Sequence, residues 1–184
     1  RPMRSPVVAE DFDWEGDKPL KIPYEEMILY RAHVRGFTKN PVSRVKDKGT
    51  FRGLIEKIPY LKELGVTSLE LLPVNEFSEL MMPEHVDGNP YAVDKPTGKL
   101  NYWGYTTGYY FAPKASYCSG KEKHPVTEFK NLVKTFHKEG LELIIELYFT
   151  GKENPAFVLD AVRYWTEEFH VGGVHLVGSY TTRN

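Results

Sequence analysis

Four apolar runs, at 27–34, 66–72, 141–149 and 174–177, alternate along the chain with three stretches of helical period. That order constrains the fold more than any other feature of the sequence. Strands buried on both faces read as near-continuous apolar runs, so the alternation predicts parallel βαβ units. The first helix is expected from a Thr50 cap through Phe51, Leu54, Ile55, Ile58 and Leu61 to a stop at Gly65, with Pro59 bending or dividing it. A second runs over 125–139, with Phe129, Leu132, Val133 and Phe136 on one face and Gly140 as its stop. Asn154 and Pro155 are the cap and first turn of a third, which runs to the Gly172-Gly173 pair.

Two α/β architectures accommodate this order, a doubly wound sheet or part of a TIM (β/α)8 barrel. A complete barrel needs eight β/α units in about 250 residues, and four strands are found in 184. Counting favours about the first four units, left open or completed by sequence or a chain beyond these residues. The expected division is an extended lead-in at 1–24, rich in proline and acid, and the half-barrel at 25–184. An open edge invites pairing, so a second half-barrel or an oligomer partner is expected to cover it.

Composition narrows the function classes. With 24 Lys plus Arg against 25 Asp plus Glu, the net charge of -1 supplies no field for a polyanion, and nucleic acid is not an expected partner. No apolar run approaches the ~20 residues that span a bilayer, so no membrane partner is expected. The single Cys118 forbids an internal disulfide, which leaves the compartment open between cytoplasmic and secreted. No histidine pair has metal-ligand spacing and no glycine-rich phosphate loop occurs, so neither a metal nor a cofactor is expected.

The long connection 73–125 follows the second strand, on the ligand side of any parallel α/β fold. It contains a dense aromatic cluster between Tyr91 and Tyr117, in a chain that is 14% aromatic. Flat rings match the C–H face of a pyranose, and they equally pack a loop against itself. Both readings stay open at this point.

Within that loop, Asn101-Tyr102-Trp103-Gly104-Tyr105, followed by Tyr110-Phe111-Ala112-Pro113 and Tyr117, resembles the N-Y-W-G-Y loop of the pullulanase, isoamylase and glycogen-debranching branch of the α-amylase superfamily (glycoside hydrolase family 13). The lead-in Phe12-Asp13-Trp14-Glu15-Gly16-Asp17, the first strand with Tyr30, His33, Val34, Phe37 and Thr38, and the second with Leu71, Pro73, Val74 and Phe77 look like the same family. The resemblance implies the N-terminal half of a barrel that handles α-linked glucans such as glycogen, starch or pullulan by the retaining two-carboxylate mechanism. It also implies that Tyr105 stacks on the sugar at the cleavage site. Tyr105, Trp103, Tyr102, Asn101 and His33 are the candidate substrate-binding residues. For His33, an imidazole bonded to neighbouring backbone is the competing reading.

The catalytic motifs depart from the family. Where the resemblance implies D-x-x-x-N-H after the third strand, the chain reads Glu146, Leu147, Tyr148, Phe149, Thr150 and Gly151. Glu146 is expected to be a structural ion-pair or hydrogen-bond partner. Where it implies G-F-R-x-D, the chain has Gly173, Val174, His175, Leu176 and Val177. Val177 at the nucleophile position has no lone pair with which to attack, and His175 replaces a permanently charged guanidinium. No catalytic residue is therefore assigned. The passage from Phe149 to Asn154 is also short, which predicts an open cleft. The expected function is an α-glucan-processing domain of α-amylase or pullulanase type unable to hydrolyse glycosidic bonds as it stands. The alternative is a non-catalytic glucan-binding or partner-scaffolding module.

Overall fold

In the computed structural model, residues 11–80, 98–121 and 124–179 are described. Tyr91 of the aromatic cluster lies outside them. Four strands, β1 (Leu29–Ala32), β2 (Ser68–Leu71), β5 (Glu142–Phe149) and β6 (Gly173–Gly178), form one parallel sheet in the order β1-β2-β5-β6. A doubly wound sheet reverses its order at a switch point, and these strands run in one direction without one. The second sheet is a short antiparallel pair, β3 (Asn75–Glu76) with β4 (Tyr109–Pro113). It corrects the reading of 73–125 as a plain loop. The ends of that connection are pinned together by two residues of pairing, and Lys114 N donates to Val74 O at 2.7 Å.

The helices start and stop where their caps dictate. Thr50 Oγ1 accepts from Gly53 N at 3.1 Å at the head of α2 (Phe51–Ile55). Pro59 divides the expected helix, with α3 (Ile58–Glu63) opening around it, and Gly65 ends the run in the left-handed region at φ 76°. α4 (Pro125–Lys138) and α5 (Pro155–Glu168) each carry proline in their first turn, and Asn154 caps α5 by accepting from Ala156 N at 2.9 Å.

The first strand is shorter than its apolar run. His33 turns its ring back over the next turn, where Nδ1 accepts from Arg35 N at 3.0 Å and Gly36 N at 3.1 Å. That cap starts α1 (Val34–Lys39), so Val34 is helical instead of extended. One face of the sheet is the core. Leu69, Leu71, Leu143, Ile145, Leu147 and Phe149 lie fully buried there, with Phe129 and Phe136 of α4 and Trp165 of α5. Among the described residues no helix is long and apolar enough to cross a membrane.

Candidate functional site

Strand side chains alternate between faces, so the residues between those core leucines project to the opposite face. That face is polar. Arg31 of β1 is the register partner of Glu70 of β2, and Glu146 of β5 is the partner of His175 of β6. Glu70 pairs with Ile144, which places Glu146 one step further toward the C-terminal ends of the strands. Four chemically active side chains thus meet at one end of the sheet.

Their contacts form a closed network. Arg31 Nε donates to Glu146 Oε1, and Arg31 Nη2 donates to the Tyr105 hydroxyl at 2.6 Å. Tyr105 in turn donates to Glu146 Oε2 at 2.8 Å. His175 Nδ1 lies 2.8 Å from Glu70 Oε1, which is also 3.6 Å from Arg31 Nε. Glu146 is fully buried and Glu70 nearly so, whereas the side chains of Arg31 and His175 are half exposed. Burial opposes the charge on Glu146, but the hydrogen bonds from Arg31 and Tyr105 outweigh it and hold the carboxyl below its ordinary value. Burial, reinforced by the Glu146 carboxylate, pushes the Tyr105 phenol up to about 12. Glu146 is therefore an ionised structural partner whose two oxygens are both engaged. Donor atoms of Glu70, Glu146 and His175 lie within 4.8 Å of one another, a spacing that could hold a metal ion. The Arg31 guanidinium already supplies positive charge to both carboxylates.

The aromatic pentapeptide is organised by its first and fourth residues. Asn101 Oδ1 accepts from Gly104 N at 3.1 Å, and Gly104 takes φ 79°, where a Cβ would come 2.6 Å from the Phe77 ring. Only glycine fits that turn. Tyr102 stacks flat on His33, with ring centroids 4.2 Å apart, and its carbonyl accepts from His33 Nε2 at 2.7 Å. His33 is 8% exposed, with Nδ1 taken by the helix cap and Nε2 by Tyr102. The structure places it beneath the loop as a support, hydrogen-bonded to neighbouring backbone. Trp103 stands edge-on to Tyr102 and is 57% exposed. Of the pentapeptide's rings, Tyr102 and Trp103 are exposed, while Tyr105 is partly buried with its hydroxyl inside the charged network.

The neighbouring loop is short. Glu153 accepts from Thr150 N at 3.0 Å and Gly151 N at 2.9 Å, closing the turn between β5 and α5. Gly151 adopts φ 84°, and a Cβ there would meet the Ser179 carbonyl at 2.5 Å. A histidine at this position has no room. On β6, alternation sets Val177 on the same face as His175.

Arg31 and Glu70 were not among the candidate residues. Their signal is a charge in the middle of an apolar strand, at 31, 70 and 146, which a run-based reading passes over.

No family model matches the chain. It is 33% identical over 228 residues to isoamylase 1, chloroplastic, of Arabidopsis thaliana, covering 97% of this chain and 28% of that protein. It is 40% identical over 177 residues to the glycogen operon protein GlgX homolog of Haemophilus influenzae, covering 90% of this chain and 25% of the relative. The chain thus spans little more than a quarter of these relatives. A solved pullulanase from Paenibacillus barengoltzii, in complex with maltohexaose and α-cyclodextrin, shares the fold with a TM-score of 0.67 at 22% identity, over 89% of this chain and 32% of that one. With the pentapeptide loop in place and relatives matched over nearly its whole length, the chain belongs to the isoamylase, pullulanase and glycogen-debranching branch of the α-amylase superfamily.

Proposed function

We propose that the chain is the first half of a (β/α)8 barrel that binds α-glucan across Trp103 and Tyr105 and does not itself cleave it. The lead-in at 1–24 and the half-barrel at 25–184 are the units of that reading. The in-order parallel sheet supports it, as an arc of a barrel has this topology. β1 and β6 each have one strand neighbour among the described residues, leaving two edges for the complementary half, either further sequence or another chain.

The observation that carries the loss of cleavage is the chemistry of the inward row on β6. Gly173, His175 and Val177 place no carboxylate where a glycosyl-enzyme bond would form. Glu146 is no substitute, because Arg31 and Tyr105 occupy both its oxygens. Binding needs only the platform. Relatives that debranch glycogen and starch favour a second reading, in which residues outside this chain supply the catalytic carboxylates.

Two measurements on the full chain test the first reading. Affinity electrophoresis in glycogen, starch or pullulan is expected to show retarded migration, lost in Trp103→Ala and Tyr105→Ala. Reducing-sugar release from the same glucans is expected to be nil. Turnover by the purified chain overturns the non-cleaving reading, and unretarded migration overturns the glucan platform.

A further inference from the structure

A second charged network lies at the opposite end of the same strands. Glu142 precedes Glu146 by four residues on one face of β5, and its side chain is 5% exposed. His137, in the last turn of α4, reaches it with Nε2 at 2.7 Å from Glu142 Oε1. The other nitrogen, Nδ1, lies 2.9 and 3.0 Å from the two oxygens of Asp17, in the lead-in. The His137 side chain is 2% exposed. An imidazole with a carboxylate at each nitrogen carries a proton on both, because a neutral ring would turn a lone pair toward one of the anions. The geometry therefore describes a buried imidazolium between two carboxylates.

The same groups fasten the lead-in. Asp17 Oδ2 lies 2.9 Å from His170 Nδ1, just after α5, and Trp14 stacks on the His170 ring with centroids 3.8 Å apart. Leu20 N donates to Glu142 Oε2 at 3.0 Å. Of the remaining charges here, Glu15 is held by Lys134 and Lys138 of α4, and Lys130 of α4 is held by Glu168 of α5. Lys18 borders a cavity of about 260 Å³ beside His137. Among the described residues, His137 joins the lead-in to both a helix and a strand through one proton-dependent group.

We propose that His137 is a proton-operated latch, whose imidazolium holds residues 12–20 under the N-terminal rim of the sheet and whose deprotonation frees that segment while the sheet stays folded. Burial disfavours the charged ring, but Glu142 and Asp17 outweigh it and raise its pKa above the ordinary 6.5. The latch is thus fully closed below the unfolded-state value and opens as pH climbs through the raised folded-state value. The inference does not depend on glucan binding.

Amide hydrogen exchange of the full chain, corrected for the intrinsic pH dependence of exchange, tests it between about pH 6 and the alkaline side of the transition. Protection of the Leu20 and Asp17 amides is expected to fall about ten-fold or more across that range, while the β5 amides keep theirs. Unchanged protection at Leu20, or an equal loss in β5, overturns the latch. In His137→Gln the Leu20 amide is expected to be weakly protected at every pH, and a persisting wild-type pH response overturns the assignment to His137. The unaltered chain supplies a readout that needs no variant to fold. Nitrogen-15 shifts of His137 are expected to report two protonated nitrogens at neutral pH, and a single neutral tautomer overturns the proposal.

Discussion

The two ends of β5 present the same chemical theme in opposite settings. Glu142 and Glu146 share one strand face, and each meets a cation from another element. At the N-terminal rim the cation is His137, sealed from solvent beneath the lead-in. At the C-terminal mouth it is Arg31, whose side chain is 51% exposed. A sealed pair spends its interactions on holding chain segments together. An open one lets water share the charge, and it includes Tyr105, one of the two rings of the proposed glucan platform.

The largest expected effect lies at the rim. His137→Ala strands Asp17 and Glu142 as buried carboxylates facing each other, and breaking such a pair costs about 3–5 kcal/mol. Urea unfolding should register that loss, and a change under about 1 kcal/mol would mean water already reaches the rim. The sign with pH follows from the raised folded-state value of His137: its stabilisation is complete at mildly acid pH and disappears on the alkaline side.

At the mouth the same experiment should give less. Arg31→Met leaves Glu146 buried with the Tyr105 hydroxyl as donor, and the screening of a half-exposed guanidinium reduces the expected cost to about 1–2 kcal/mol. Adding Glu146→Leu to that variant removes the stranded charge, so the double variant should recover much of the loss. If the double variant is instead the weaker of the two, Glu146 has partners beyond Arg31 and Tyr105 that matter more. The pH response also runs the other way. Glu146 has a lowered folded-state value, so its contribution is present above the unfolded carboxyl value and is lost as pH falls through the folded one. Acid should loosen the mouth and alkali the rim.

These networks show which parts of the molecule the sequence made legible. Helix ends were readable because their causes are local: Thr50 before Gly53, Pro59 inside a helical run, Asn154 before Pro155. The pentapeptide was readable because Asn101 and Gly104 build its turn within four residues. By contrast, Arg31 and Glu70 are partners only through strand register, and Asp17 reaches His137 across a separation of 120 positions. Neither register nor such distant closure leaves a periodic trace. The two-residue strand β3 is likewise too short to carry an alternation, and it pairs with β4 more than 30 residues later. The sequence left two readings of His33 open for a local reason, since a histidine that caps a helix looks the same in sequence as one that meets a ligand.

Tyr105→Phe is a smaller perturbation that sharpens the same contrast. It keeps the ring and deletes one hydroxyl that donates to Glu146 and accepts from Arg31. The expected stability cost is about 1 kcal/mol. Glucan retardation should survive if the ring face carries binding. Loss of retardation with unchanged stability would show that the hydroxyl itself contacts the sugar.

The smallest expected effect on stability falls on the residue expected to matter most for binding. Trp103 is 57% exposed, and its ring contacts are edge-on to Tyr102 and His33. Removing it exposes little new apolar surface, so Trp103→Ala should shift the unfolding midpoint by no more than about 0.5 kcal/mol of stability. In the proposed reading this exposed indole is the face that glucan covers. Glucan affinity should accordingly fall about ten-fold or more, the scale of one lost ring–sugar contact. A variant that unfolds early but still migrates slowly in glycogen would reverse the assignment, making Trp103 part of the packing and moving the binding surface elsewhere.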